Sequence, residues 1–316
     1  MAQGRARHPD RHDEPSDPIV PDGPSRVDLH THTLRSDGTL EPRDLVEQVA
    51  AAGVELLAIT DHDNLAAYRE LTAAGAAPLP AGLALLPGVE INCLTANAPW
   101  VFEGELHILG YGIQPDDDAF EALLQGQRDS RLLRFDRTLE LLRRQGLSVD
   151  AAVEELDLSS IESLGRPTVA RLMIASGYAT SVEDAFSRFL ARGRPAYVPR
   201  DGVGPVRAIG AIRAAGGLPA LAHFGEAANH ESLIRDLQEI GLGGLEVYYR
   251  TFDQAKVDSV GAVADELGLV KTGGSDFHGD TGSYAEIHAG TSVPVVVGER
   301  LRNALAQRSQ PPEAGR

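Results

Sequence analysis

Short apolar runs typical of buried strands alternate with helical segments through most of the 316-residue chain. Residues 56–60 form one such run. The segment 42–52 before it has helical character, with a proline at its start and a glycine just past its end. This alternation predicts βα units joined into a mainly parallel sheet. The other runs of strand character are residues 26–29, 83–92, 106–111, 218–222, 245–249, 269–272 and 293–297.

Seven or eight such units in one chain predict an α/β fold in which the sheet closes, or nearly closes, into a barrel. An open doubly wound sheet is the alternative, but no glycine-rich phosphate loop follows the first strand. Residues 116–198 break the alternation because they are mostly helical and rich in arginine. Since βα units resume afterwards, we interpret this region as a helical insertion between two barrel strands.

The ends and the composition limit the remaining possibilities. Residues 1–25 and 309–316 lack hydrophobic periodicity and are predicted to be disordered tails around a domain spanning 26–308. The single cysteine, Cys93, excludes a disulfide framework, and the sequence has no secretory signal and no run of about 18 apolar residues. We therefore expect a cytoplasmic protein. A net charge of −17 argues against extended nucleic-acid or anionic-membrane binding, but it allows a local basic pocket.

Histidines and carboxylates recur at the carboxyl ends of the predicted strands. In a parallel barrel these ends form one rim, where active sites are built. Two such histidines separated by one residue point to the same side of an extended segment and can chelate one ion. The set comprises His30, His32, Asp37, His62, Glu90, His107, His223, Asp276 and His278, of which His107 lies within its strand.

Imidazole and carboxylate groups together bind borderline metals such as Zn, Mn, Fe or Co. A single histidine at a strand end is more often an ordinary hydrogen-bonded residue, and Asp37 before a glycine suits a turn. Nine compatible residues at successive strand ends instead favour two or three divalent ions and an anionic substrate such as phosphate. Asp61 and Asp63 are interpreted as partners of His62 or as helix caps, and His230 and His288 as surface residues.

Several motifs resemble those of the PHP (polymerase and histidinol phosphatase) superfamily. Within it, the chain looks most like stand-alone phosphoesterases, the 3′,5′-nucleoside bisphosphate phosphatases and 5′-3′ exoribonucleases. The runs at 166–167, 191–199 and 245–249 support this branch. The resemblance extends from about residue 26 to 297 and rests on residues 28–32, 36–39, 58–63, 88–90, 107–111, 222–223 and 273–278.

The resemblance implies a distorted (βα)7 TIM-like barrel, the PHP fold, with a trinuclear metal centre holding manganese, zinc or iron. The superfamily pattern has histidine where Thr168 stands and proline where Phe224 stands, and these departures affect substrate identity rather than metal binding. By the same resemblance, His30, His32, Glu90 and Asp276 would bind the first ion; Asp37, His62 and His278 the second; and Glu90, His107 and His223 the third.

The resulting hypothesis is a phosphoric monoester hydrolase that acts on a nucleotide, either a 3′,5′-nucleoside bisphosphate, an AMP-like substrate or a short RNA 5′ end. Metal-activated hydroxide would attack phosphorus in line. One alternative is a phosphatase or cyclic phosphodiesterase for a non-nucleotide metabolite such as histidinol phosphate. Another is a non-catalytic, metal-stabilised module, although no ligand position is missing.

Arginines of the insertion are the candidate contacts for a second phosphate, because guanidinium groups bind phosphate in a bidentate manner. Arg134, Arg166 and Arg194 are the preferred contacts. The alternative is that the arginines spaced by three over residues 128–137 form a solvated helix face with ion pairs. Tyr197 and Tyr248 are candidates to stack on a base, although ordinary packing also accounts for them.

Overall fold

The computed structural model describes residues 25–95, 105–156 and 161–308, and the predicted tails, 1–25 and 309–316, lie outside this range except for Ser25. Seven strands form one sheet in the order of the sequence. They are β1 (Val27–Asp28), β2 (Leu56–Ile59), β3 (Ala84–Leu94), β4 (Glu105–Tyr111), β5 (Leu218–Leu221), β6 (Gly244–Tyr249) and β7 (Val270–Gly274).

The sheet curls into a nearly closed barrel, which confirms the predicted fold class. Strand β4 is antiparallel to β3 and β5, whereas the other neighbouring strands are parallel. Between the first and last strands, the Leu29 N–H donates to the Gly273 carbonyl at 3.1 Å, and Thr31 forms a parallel bridge with Phe277. These contacts bring the segment after β1 against the segment after β7, so that residues far apart in sequence meet at one rim.

Helices surround the barrel and begin and end at the expected local signals. Helix α1 (Pro42–Ala51) has proline in its first turn, and α9 (Gln254–Leu267) ends at Gly268 in a left-handed conformation, φ 61°. The remaining barrel helices are α2 (Ala66–Thr72), α7 (Pro205–Ala214), α8 (Glu231–Glu239), α10 (Tyr284–Ala289) and α11 (Val295–Arg308).

The helical insertion between β4 and β5 has a hydrophobic core of its own. Its long first helix, α3 (Asp118–Arg144), begins where the Asp117 side chain accepts a hydrogen bond from the Phe120 N–H at 2.7 Å. Further along α3, Leu139 and Leu142 pack with Met173 in a cluster separate from the barrel core. The later helices of the insertion are α4 (Asp150–Glu155), α5 (Arg166–Ala175) and α6 (Val182–Ala185), followed by a π-helical turn, Phe186–Leu190.

Three sequence predictions differ from the structure. Residues 293–297 are not a strand, because Val295 begins helix α11, whose buried residues pack on the barrel. His288 is not at the surface: it is buried and lies 2.7 Å from the Ser25 carbonyl through Nε2. Ser25 itself, predicted to belong to the tail, is buried beside β1. No helix among the described residues is long and apolar enough to cross a membrane.

Candidate metal centre

One rim of the barrel gathers all nine predicted ligand residues. The short strands β1, β2, β5 and β7 run toward this rim, so the residues that follow them arrive there. His107 precedes the middle of β4, yet it reaches the same rim because β4 runs in the opposite direction. The antiparallel direction therefore explains how His107 reaches the rim from the first half of its strand, whereas Glu90 lies within β3, which is parallel to β2.

Ligand atoms converge in three groups among the described residues, and within each group they lie within 4.8 Å of one another. Asp276 Oδ1 lies beside the first group, 3.4 Å from His30 Nε2 and 3.3 Å from His32 Nε2. The groups are His30, His32 and Glu90; His32, Asp37, His62 and His278; and Glu90, His107 and His223.

Glu90 lies at the centre of this arrangement. Its Oε2 is 3.2 Å from both His32 Nε2 and His62 Nδ1, while its Oε1 is 2.6 Å from His107 Nδ1 and 3.3 Å from His223 Nε2. Each oxygen therefore faces a different set of imidazoles. This geometry would allow Glu90 to act as a ligand shared between groups, the role that the resemblance implies.

The imidazole nitrogens also satisfy a chemical test for metal binding. His30 Nε2, both ring nitrogens of His32 and His62 Nδ1 are buried without a hydrogen-bond partner. Buried polar atoms are rarely left unpaired, because each costs about 1–3 kcal/mol. A convergent set of such nitrogens next to three carboxylates is the donor set that divalent ions such as zinc or manganese accept, so the residues fit the predicted metals.

Electrostatics hold the carboxylates of the centre in their charged form. Burial raises the pKa of Glu90, but the neighbouring imidazoles, His62 first, outweigh this effect and bring its pKa well below the usual value. The pKa of Asp37 and that of Asp276 are lowered in the same way, mainly by His62 and His30 respectively. Ionised carboxylates are the form that binds a metal ion.

Backbone strain is concentrated at the same rim. Asp63, His223 and Asp276 are the described non-glycine residues with positive φ, at 53°, 32° and 47°. Such conformations cost on the order of 1–3 kcal/mol each and persist at functional sites where the surroundings enforce them. Two of the three are candidate ligands, and the third follows His62 directly, so the strained positions coincide with the candidate centre.

The aspartates beside His62 fix the surrounding loops instead of capping α2, which has no side-chain cap, and their described hydrogen bonds go to residues other than His62. Asp61 accepts hydrogen bonds from the Thr33 N–H at 2.7 Å and from the Ser36 hydroxyl at 2.6 Å, which holds the turn carrying Asp37. Asp63 pairs with Arg131 Nε at 2.5 Å and with Arg200 Nη2 at 3.3 Å. Asp63 therefore links the centre to the insertion.

The first arginines of α3 are neither solvated nor available to a substrate. Arg128 and Arg131 are buried, and Arg131 donates to Asn92 Oδ1 at 2.6 Å. Arg128 donates to the Asp63 carbonyl at 3.0 Å. The prediction of a solvated helix face is therefore wrong for these two residues, which attach the insertion to the barrel.

A different set of arginines forms a cationic cluster, defined here as Arg134, Arg166 and Arg200. Arg134 and Arg166 lie over the Tyr197 ring, with 5.9 and 6.0 Å from guanidinium carbon to ring centroid. Arg134 Nη2 and Arg200 Nε are buried without a hydrogen-bond partner. Burial, with the nearby Arg166 and Arg131 respectively, lowers the pKa of both residues to about 10.

The sequence analysis missed Arg200 and selected Arg194 instead. Arg194 is exposed, and its described contacts are backbone hydrogen bonds with Ala191 and Tyr197. Arg200 was overlooked because it follows the insertion in sequence, and only the fold returns it to Asp63. Tyr248 packs against the barrel core, whereas Tyr197 faces the cluster. Thr168 is buried with an unpaired hydroxyl one turn into α5.

A barrel rim with three convergent histidine and carboxylate groups is a candidate metal centre, and comparison with known proteins identifies the class as the metal-dependent phosphoesterases. The family model described as PHP domain matches residues 28–147. The chain belongs to the PHP family. A solved structure of a metal-dependent phosphoesterase from Bifidobacterium adolescentis aligns with a TM-score of 0.75 and 27% identity, covering 92% of this chain and 98% of the other.

Three curated relatives differ in what their names say they act on. The 3′,5′-nucleoside bisphosphate phosphatase of Chromobacterium violaceum is 33% identical over 80% of this chain and 87% of its own length. The 5′-3′ exoribonuclease Rnm of Escherichia coli is 32% identical, with coverage of 79% and 84%. The phosphoribosyl 1,2-cyclic phosphate 1,2-diphosphodiesterase of Eggerthella lenta is also 32% identical, with coverage of 84% and 98%.

Proposed function

We propose that the protein hydrolyses a phosphomonoester of a nucleotide and that its substrate is a 3′,5′-nucleoside bisphosphate. The cationic cluster carries this proposal. The cluster and the neighbouring Arg131 bring four positively charged guanidinium groups together. The carboxylates that oppose this charge at Arg134 and Arg200 are two, Glu105 and Asp63. The excess of two positive charges complements a phosphate monoester, which carries about −1.5 to −2 at pH 7.

The cluster lies next to the metal centre, as binding of a substrate with two phosphates would require. Glu105, 3.9 Å from Arg166, precedes His107 by two residues on β4, so both side chains are on one face of the strand. A Cβ added at Gly165, next to Arg166, would lie 3.7 Å from Asp37 Oδ2. One phosphate would occupy the metal centre, and the other would contact the cluster one ribose away.

The chain's own residues would divide the reaction between them. The nine histidine and carboxylate residues at the rim would hold two or three divalent ions, which in such sites lower the pKa of water and neutralise phosphate oxygens. Arg166, whose side chain is about one quarter exposed, would hold the second phosphate, with Arg134 beside it, while the buried Arg200 adds positive charge from its ion pair with Asp63. Tyr197, with two guanidinium groups against its ring, offers an aromatic surface for the base.

Phosphate release by the manganese-reconstituted protein tests the proposal. The substrate panel is adenosine 3′,5′-bisphosphate, 5′-AMP, histidinol phosphate and a cyclic phosphate. We expect kcat/KM for the bisphosphate to exceed the others by at least about 100-fold, which corresponds to roughly 2.7 kcal/mol of selective transition-state binding. A flat profile would contradict the assignment of the cluster to a second phosphate.

Two other functions have specific observations in their favour. The resemblance to the Eggerthella lenta enzyme favours a cyclic phosphodiesterase, and preference for the cyclic phosphate in the same panel would select it. Similarity to the exoribonuclease favours short RNA 5′ ends as substrates. A metal-loaded protein that fails to hydrolyse even p-nitrophenyl phosphate would instead be a non-catalytic module.

A further inference from the structure

Glu246 is a buried carboxylate at the metal centre that is not one of the nine candidate ligands. It lies on β6, inside the barrel, with no exposed surface. Its Oε1 is 3.0 Å from His30 Nδ1, and its Oε2 accepts a hydrogen bond from the His223 backbone N–H at 2.6 Å. One side chain therefore contacts two candidate ligands that follow different strands and belong to different groups.

The contact with His30 determines which ring nitrogen faces the metal centre. A carboxylate can only accept a hydrogen bond, so Nδ1 must carry the proton in that contact. In a neutral imidazole this leaves the lone pair on Nε2, the atom that lies 3.3 Å from Glu90 and 3.4 Å from Asp276. Carboxylates that bond a histidine in this way fix its tautomer and orientation toward a metal.

The contact with His223 acts on the backbone instead of the ring. His223 has φ of 32°, which a side chain with a Cβ rarely adopts. The hydrogen bond to Glu246 compensates part of this strain and leaves Nε2 of His223 facing Glu90 at 3.3 Å. The same carboxylate thus sets the orientation of two ligands by two different mechanisms.

We propose that Glu246 is a positioning residue that couples the His30 group to the His223 group. This inference rests on the metal-site assignment above. A neutral amide cannot replace the carboxylate, because it has one accepting oxygen whereas both His30 and His223 present donors. A buried carboxylate is costly unless it is fully hydrogen-bonded, so its presence among the buried neighbours Leu245 and Val247 indicates a specific role.

Glu246→Gln tests the proposal against a matched control, Thr272→Val. Thr272 is directly opposite Glu246 in the β6–β7 pairing, is fully buried and has a hydroxyl without a hydrogen-bond partner. Zinc and manganese titrations of each folded, metal-free protein give the stoichiometry and dissociation constants. We expect Glu246→Gln to weaken binding at one or more sites by about 10- to 100-fold, and Thr272→Val to stay within about twofold of the wild type.

Nitrogen-15 NMR of the zinc-loaded protein gives a readout that a general packing role would not change. In the wild type, His30 should show a protonated Nδ1 and a metal-shifted Nε2, and Glu246→Gln should lose this pattern. Glu246→Asp keeps the charge with a shorter reach and serves if the glutamine variant does not fold; it should also weaken binding.

Failure of the metal-site assignment and failure of the positioning role would give different results. A wild-type protein that binds no divalent ion would refute the metal-site assignment itself. A folded Glu246 variant that binds ions as tightly as Thr272→Val, with the His30 tautomer unchanged, would overturn only the positioning role.

Discussion

Replacing Arg166 with methionine should remove the preference for a second phosphate without impairing the metal centre. Methionine keeps much of the side-chain length and the contact with the Phe186 ring, which the guanidinium carbon approaches to 5.4 Å, but it carries no charge. Because 5′-AMP has a single phosphate, which must occupy the metal centre to be hydrolysed, its turnover should depend little on Arg166. The bisphosphate should lose affinity instead.

The structure limits the size of the effect. Arg166 is about one quarter exposed, and Glu105 lies 3.9 Å away, beyond direct hydrogen-bond distance, so the guanidinium is available to an anion. Hydrogen bonds to charged groups contribute about 1.5–3 kcal/mol, which corresponds to about 10- to 150-fold in kcat/KM. The loss should come mainly through KM, since the second phosphate is bound equally in the ground state and the transition state.

The assay compares kcat/KM for adenosine 3′,5′-bisphosphate and 5′-AMP in wild type, Arg166→Met and Arg194→Met. Arg194 is the exposed arginine that the sequence also favoured, so its variant is a matched control. We expect Arg194→Met to change neither value by more than about twofold, as is usual for surface substitutions. Equal losses for both substrates in Arg166→Met, or a selective loss in Arg194→Met, would refute the reasoning.

Three further predictions concern the metal centre. Glu90→Gln should weaken divalent-ion binding by at least about 100-fold and abolish turnover, because the Glu90 carboxylate faces all three ligand groups, directly or through His32. Unchanged metal content by elemental analysis would contradict this prediction. Gly274→Ala should destabilise the protein by about 1–3 kcal/mol in urea unfolding, since the added Cβ would lie 2.4 Å from the His30 backbone nitrogen; an unchanged midpoint would show that this approach is not tight. The metal-free protein should lose stability as the pH rises from about 6.5 toward 10. Burial lowers the pKa of His32, but Asp276 and Glu90 outweigh this effect and raise the pKa to about 10. In this pH range the folded state therefore retains a proton that the unfolded chain has released. The free energy of unfolding should change by about 1.4 kcal/mol per pH unit for each retained proton. The metal-loaded protein should show the opposite trend, because ions and protons compete for the same nitrogens. Urea unfolding of both forms at pH 6.5 and 9 measures these trends, and parallel trends would contradict the prediction.

Local sequence signals were sufficient to predict most strands and helices of the barrel. Strands and helices of a βα fold carry their own periodicity and caps, as at Pro42 and Gly268, so their number and order could be predicted. The strand predicted at 293–297 was wrong because a short run of valines has the same pattern in a buried strand and in the first turn of a helix such as α11.

Chain direction and burial could not be predicted in the same way. The sequence contains nothing that marks β4 as antiparallel, yet this direction is what brings His107 to the rim. The sequence places His288 in a loop-like context, which favours a surface position, and only the packing of α10 against β1 buries it against Ser25. The burial of His288 depends on a contact between residues 263 positions apart in the chain.

The sequence by itself determined the chemistry of this protein, because metal binding requires particular side chains and their spacing along strand ends was visible without coordinates. Only the tertiary structure decided which charged side chains lie close enough to act together. It buried Arg128 and Arg131 as attachments of the insertion, left Arg194 in solvent, and brought Arg200 to Asp63 from the far side of the insertion. The physical reason is that ligand identity is a property of single residues, whereas charge neutralisation and positioning depend on distances that only folding sets.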